Sequence, residues 1–192
     1  MLEGDVLAAA FADTIALHEQ VKRADPRPVV EAVAAVRSAL EGGGKLLIFG
    51  NGGSAADAQH AAAELVGRFA RERRGLAAVA LTSDSSILTS VANDYGYDRV
   101  FARQIEALGR PGDVALGIST SGASANVAAA LEAARRGGLK TIALTGRDGG
   151  AVGRQADIHV NVPSDSTPRI QEVHRTLLHV ICDLVERSFV DR

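Results

Sequence analysis

GKLLIFGNGGSAADAQHAAAELVGRF, residues 44–69, holds in one line the unit from which the fold follows. Leu46-Leu47-Ile48-Phe49 is a short apolar run without alternation, the mark of a strand buried on both faces. Gly50-Asn51-Gly52-Gly53-Ser54 breaks the run, and the following AADAQHAAAELVGRF is strongly helical in composition. Upstream, Gly42-Gly43-Gly44 stops a helix running from about Pro28 to Leu40. Asp25-Pro26-Arg27-Pro28 separates that helix from a helical period over residues 3–23, where Val6, Ala10, Phe11, Ile15 and Leu17 fall toward one side.

Downstream the unit repeats. Ala77–Leu81 is apolar, followed by Thr82-Ser83-Asp84-Ser85-Ser86 and a helix that closes on Asn93-Asp94-Tyr95-Gly96. Val114–Ile118 leads into Ser119-Thr120-Ser121-Gly122-Ala123-Ser124 and an Ala-rich helix to Arg136. Thr141–Leu144 ends in Thr145-Gly146, Ile158–Val162 is a fifth run, and a last helix spans about Thr167–Phe189. Continuous apolar strands alternating with helices predict an α/β fold: five parallel strands covered on both faces, joined by right-handed crossovers. With no linker or low-complexity tract, residues 1–192 are expected to form one domain, with an α/β core at 44–192 behind two leading helices within 1–43.

Composition narrows the function. Of 192 residues, 46% are hydrophobic and 23% charged, the balance of an ordinary globular domain. Lys plus Arg number 21 against 23 acids, so no positive field exists to hold nucleic acid or anionic lipid. Aromatics are 4% with no Trp, which argues against base stacking. A single cysteine, Cys182, excludes an internal disulfide and fits a reducing compartment. The N-terminus carries acids where an export signal needs bases, and no apolar run approaches a membrane span. A cytoplasmic protein is expected.

In an open parallel sheet, ligands bind beyond the carboxyl ends of the strands. The two most polar strand-to-helix loops are Asn51-Gly52-Gly53-Ser54 and Ser119–Ser124. Both join glycines, which let backbone amides approach a ligand, to small hydroxyls, and both open a helix whose free N–H groups favour an anion. The second has four hydroxyls in six residues and no cation, a chemistry suited to a phosphate monoester. The plainer alternative is that these Ser and Thr only cap helices. Neither loop has the lysine of a P-loop nor the glycine spacing of a dinucleotide fingerprint. On the helix after the first loop, His60 and Glu64 are four residues apart and share a face, an arrangement usually solvated. On the last helix, Gln171, Arg175 and His179 follow at four-residue steps, while His174 falls elsewhere and reads as structural or surface.

Together GNGGSAADAQHAAAELVGRF (50–69), VANDYGYDRVFARQ (91–104), GISTSGASANV (117–127), ALTGRDGG (143–150) and RIQEVHRTLLHVI (169–181) resemble the phosphoheptose isomerases. These are sedoheptulose 7-phosphate isomerases of the sugar isomerase (SIS) domain superfamily, and the resemblance covers nearly the whole chain. It implies a flavodoxin-like three-layer sandwich and conversion of D-sedoheptulose 7-phosphate to D-glycero-D-manno-heptose 7-phosphate. That is the first step toward nucleotide-activated heptose for lipopolysaccharide or other glycans. By position it implies Glu64 as base and His179 as acid. It implies substrate contacts at Asn51, Gly52, Gly53, Ser54, Glu64, Asn93, Asp94, Ser119, Thr120, Ser121, Ser124 and Gln171. A zinc ion on His60, Glu64, Gln171 and His179, one per subunit, is implied too, in a homotetramer with sites at subunit contacts. The leading helices suit such packing. Ala123 departs from the pattern, since many members have Asn there, but all four hydroxyls remain.

The implied roles agree with the chemistry. Moving a proton between C1 and C2 through an enediol needs a base near the carbons and an acid near the oxygens. Histidine carries protons near neutral pH, and a divalent ion polarises a carbonyl. Rival readings are a non-catalytic SIS protein associating with the bacterial replication initiator, a sugar-phosphate sensor, and an isomerase of another sugar phosphate. The first would lack the Glu and the final-helix His, and this chain has both. The second needs a DNA-binding module for which no residues are spare. Only the resemblance separates the third.

Overall fold

The five apolar runs form strands β1 (Leu46–Gly50), β2 (Ala78–Ala80), β3 (Val114–Ser119), β4 (Lys140–Gly146) and β5 (Ile158–Val162). The computed structural model describes residues 2–190, so residues 1, 191 and 192 of the expected domain lie outside it. Every pairing is parallel, in the order β2-β1-β3-β4-β5. Alternate side chains serve opposite faces: Leu46, Ile48, Leu116 and Ile118 join one buried cluster, Leu47, Phe49 and Ala115 the other. Helices α1 (Glu3–Lys22), α2 (Arg27–Glu41), α3 (Gly53–Val66) and α8 (Thr167–Glu186) cover the first face. The second is covered by α4 (Ser85–Tyr95), α5 (Ala102–Leu108), α6 (Ala125–Arg136) and α7 (Gly150–Gln155). This is the three-layer sandwich.

Several boundaries differ from expectation. The helix expected over 55–69 begins at Gly53 and ends at Val66, and the last helix ends at Glu186 rather than Phe189. Helices α5 and α7, of seven and six residues, have no counterpart in the sequence reading because so few turns carry too little periodicity. The two leading helices also part company. α2 buries Ala32, Val33, Val36, Ala39 and Leu40 in the core, whereas α1 buries Leu17 alone. Val6, Phe11 and Ile15 of α1 are exposed. No helix among the described residues is long and apolar enough to cross a membrane.

His174 is structural, not surface. It is fully buried on α8, and its Nε2–H donates to the Thr145 carbonyl over 2.9 Å. Burial pushes its imidazole below the ordinary value, against the opposing effects of that bond and of nearby Asp57; burial also lowers His159. Both side chains are therefore neutral in the fold when the unfolded chain begins to protonate near its ordinary value of 6.5. Stability from these two is present above that pH and is lost as pH falls through the depressed folded values. The urea midpoint should be level between about pH 8 and 7 and fall below about pH 6.5, ahead of carboxylate titration. A midpoint constant down to about pH 5 would contradict this assignment.

Candidate active site

The strand order reverses between β1 and β3, and the two polar loops leave those two strands side by side. That is the crevice where a doubly wound sheet takes its ligands. Ser119 Oγ lies 2.9 Å from Ser124 Oγ and 3.4 Å from Ser121 Oγ, and the Ala123 amide donates to Ser121 Oγ over 3.2 Å. Ser124 stands at the N-cap of α6, yet its hydroxyl makes no capping bond and turns toward Ser119 instead. Helix capping therefore does not explain this cluster. The turn closes because Gly122 takes φ +64 and presses against Gly149 and Gly150, where a Cβ would meet the Gly149 carbonyl oxygen at 2.4 Å. Thr120 lies in the same turn, half-buried.

Asn51, opposite, exchanges two amide hydrogen bonds of 2.9 Å with the buried Asn126, and accepts a longer one, 3.4 Å, from Tyr97. The reciprocal pair ties the two loops together. Asn126 and Tyr97 escaped the sequence reading, although both lie inside the motifs quoted above; only a strand order placing β1 beside β3 brings them to Asn51. Asn93 and Asp94 sit exposed in the last turn of α4, where the Asn93 amide donates to Asp94 over 2.8 Å. Gly52 is exposed, and Ser54 is buried in the first turn of α3.

α3 and α8 both run back from the carboxyl edge, side by side, so their residues meet in register. Gln171 lies over Gly53, so closely that a Cβ there would meet its amide nitrogen at 2.3 Å. One turn on, Arg175 pairs with the buried Asp57 at 2.7 Å. Further along, His60 Nε2 stands 3.0 Å from His179 Nε2 and 3.1 Å from Glu64 Oε1. The side chains of His60 and Glu64 are 42% and 23% exposed, so the cluster opens to solvent. The Phe69 ring backs His179, with centroids 5.6 Å apart.

These three side chains fit a metal ion. Two imidazole nitrogens and a carboxylate oxygen lie within 4.8 Å of one another, a donor set suited to zinc with room for further ligands. Gln171 does not join them. Eight residues along a helix advance about 12 Å, which leaves its amide at Gly53 and away from His179. Within one subunit the expected four-residue group is therefore three. The cluster is also remote from the hydroxyl loop: Glu64 lies eleven residues beyond Gly53, about 16 Å down α3.

The family model of the SIS domain matches residues 11–146. A phosphoheptose isomerase of Roseiflexus sp. (strain RS-1) is 59% identical over 165 residues, which cover 85% of this chain and 84% of that protein. Among solved structures, a phosphoheptose isomerase of Neisseria gonorrhoeae superposes with a TM-score of 0.91 at 47% identity, over 97% of this chain and 100% of that one. The phosphoheptose isomerase of Francisella tularensis gives 0.94 at 40% identity, with the same shares covered.

Proposed function

Because the chain belongs to the phosphoheptose isomerases of the SIS-domain class, we propose that it interconverts D-sedoheptulose 7-phosphate and D-glycero-D-manno-heptose 7-phosphate in the cytoplasm. It is an aldose–ketose isomerase. The observation that carries the phosphate end is the turn of Ser124 away from its helix and toward Ser119 and Ser121. Three converging hydroxyls and the free amides of α6 meet a phosphate with neutral donors. Asn51, held by Asn126, borders the same crevice, with Gly52, Gly53 and Ser54 beside it.

Glu64 takes a proton from one of the two carbons, exchanges it with solvent while the enediol stands, and delivers one to the other carbon. In the ketose-to-aldose direction His179 gives a proton to O2 as the enediol forms and takes one from O1 as it collapses, which is general acid–base catalysis by two groups placed together. His60, in contact with both, orients them. In the same reading His60, Glu64 and His179 would hold a zinc ion, which would supply polarisation of the substrate carbonyl. The distance between the hydroxyl loop and the acid–base cluster supports sites completed at subunit contacts in a homotetramer, as do the uncovered apolar residues of α1.

Incubation with sedoheptulose 7-phosphate in D2O, followed by NMR, should show the aldose with deuterium at C2. No product from folded, zinc-loaded protein would end this reading. Ser119→Ala and Ser121→Ala should each raise KM with little change in kcat, each removing about 1–3 kcal/mol of interaction with a charged oxygen. Unchanged KM in both would move the phosphate elsewhere. Chelation should lower activity and zinc restore it, with His60→Ala preventing the restoration. Full activity in metal-free protein would remove the metal from the mechanism and leave the acid–base pair.

A further inference from the structure

Beyond α3 the chain turns back through residues 67–75 around two charges that water does not reach. The side chains of Arg73 and Glu186 are both 0% exposed, with Nη2 3.4 Å from Oε1. Arg73 Nη2 donates to the Glu64 carbonyl over 2.8 Å, and Nη1 to the carbonyls of Leu65 and Gly67, each over 2.8 Å, and of Arg74 over 3.0 Å. Glu64 and Leu65 lie in the last turn of α3, where carbonyls have no partner within the helix; Leu65 also accepts the Leu76 amide over 3.0 Å. Glu186, on the last turn of α8, accepts the backbone amides of Phe69, Ala70 and Arg71 at 2.8, 2.9 and 2.9 Å. One charge thus fastens the helix turn that carries Glu64, and the other fastens the segment that carries Phe69 against His179.

We propose that Arg73 and Glu186 are positioning residues for the acid–base pair, an inference that rests on the isomerase reading above. A buried ion pair contributes little net stability over apolar residues of the same volume, because desolvation offsets the attraction. What it provides here is fixed geometry. Glu64 lies two residues before the last residue of α3, in a turn that frays unless its carbonyls are held. His179 lies two turns before Glu186, so the same carboxylate ties the Phe69 backing to the helix that carries the acid. Neither Arg73 nor Glu186 touches the reacting atoms.

Arg73→Lys keeps the charge opposite Glu186 but loses the fork that spans four carbonyls. It should lower kcat about 10- to 100-fold with KM within about threefold, because misplacement of a catalytic group acts on the chemical step. Leu131→Val, buried on the far face of the sheet, serves as the comparator: it should lower the melting temperature and leave kcat unchanged. A lysine variant that melts lower but keeps wild-type kcat overturns the proposal, as does an equal loss of kcat in Leu131→Val. Should Arg73→Lys not fold, Phe69→Leu decides. It is only partly buried and leaves the ion pair and its backbone bonds in place. It should lower kcat severalfold at unchanged KM, and an unchanged kcat would overturn the proposal. Turnover by the wild-type protein tests the isomerase reading separately, so the two can fail independently.

Discussion

Glu64→Gln is expected to lower kcat for sedoheptulose 7-phosphate by about 10²- to 10⁴-fold, the usual contribution of a positioned general base. Glutamine keeps the length and shape of the side chain and still presents an oxygen to His60, but it takes up no proton. The fold should be indifferent, because the side chain is partly exposed and, among the described residues, its ion-pair contact at 3.1 Å is with His60 alone. Melting temperature and oligomeric state should therefore match the wild type. Loss of deuterium exchange at C2 is the direct readout. His179→Ala should be as damaging, and combining the two should add little, since they act on one proton-transfer sequence. A Glu64→Gln enzyme within about tenfold of the wild-type rate would place the base elsewhere.

Gly122→Ala is expected to produce the largest loss of stability among single-methyl changes in the hydroxyl loop. Its φ of +64 is one that an alanine adopts only under strain, and the added Cβ would lie 2.4 Å from the Gly149 carbonyl oxygen and 2.8 Å from the Gly150 nitrogen. Both obstacles are backbone, so neither can rotate away. Left-handed strain and overpacking together should cost about 2–5 kcal/mol, which for a chain of this size lowers Tm by about 4–20 °C. KM should rise as well, because the shift moves Ser121 and Ser124. The adjacent exposed Ala123 provides the control: Ala123→Asn should change stability by no more than about 0.5 kcal/mol. Equal melting temperatures for Gly122→Ala and the wild type would mean that the two glycine loops are not in contact.

The difference between those neighbours, invisible in the string SGAS, shows where sequence reading stops. Leu46–Phe49 and Val114–Ile118 were legible as strands because burial on both faces leaves no alternation, and the glycine-bearing loops after them marked the carboxyl edge. His60 with Glu64, and Gln171 with His179, were legible as chemistry-bearing positions on two helices. The short helices α5 and α7 were not, for want of turns. The pairing of the two sets of residues was not legible either. Periodicity along one helix gives an angle about its own axis, but the partner across the interface depends on how far two helices are offset. Here α3 and α8 lie in register, so His179 meets His60 and Glu64 while Gln171 is left at Gly53.

By itself, then, the amino-acid sequence determined the layers, the edge of the sheet that carries the site, and the residue types available for acid–base and phosphate chemistry. These follow from local rules: hydrophobic period, glycine and proline breaks, and the free amides at helix starts. Only the tertiary structure decided that β1 neighbours β3, that Asn126 holds Asn51, that His179 meets His60 and Glu64, and that Arg73 and Glu186 are buried together. Each of those depends on contacts between residues 68 to 119 positions apart, and such contacts are set by how whole faces pack, which no local pattern encodes.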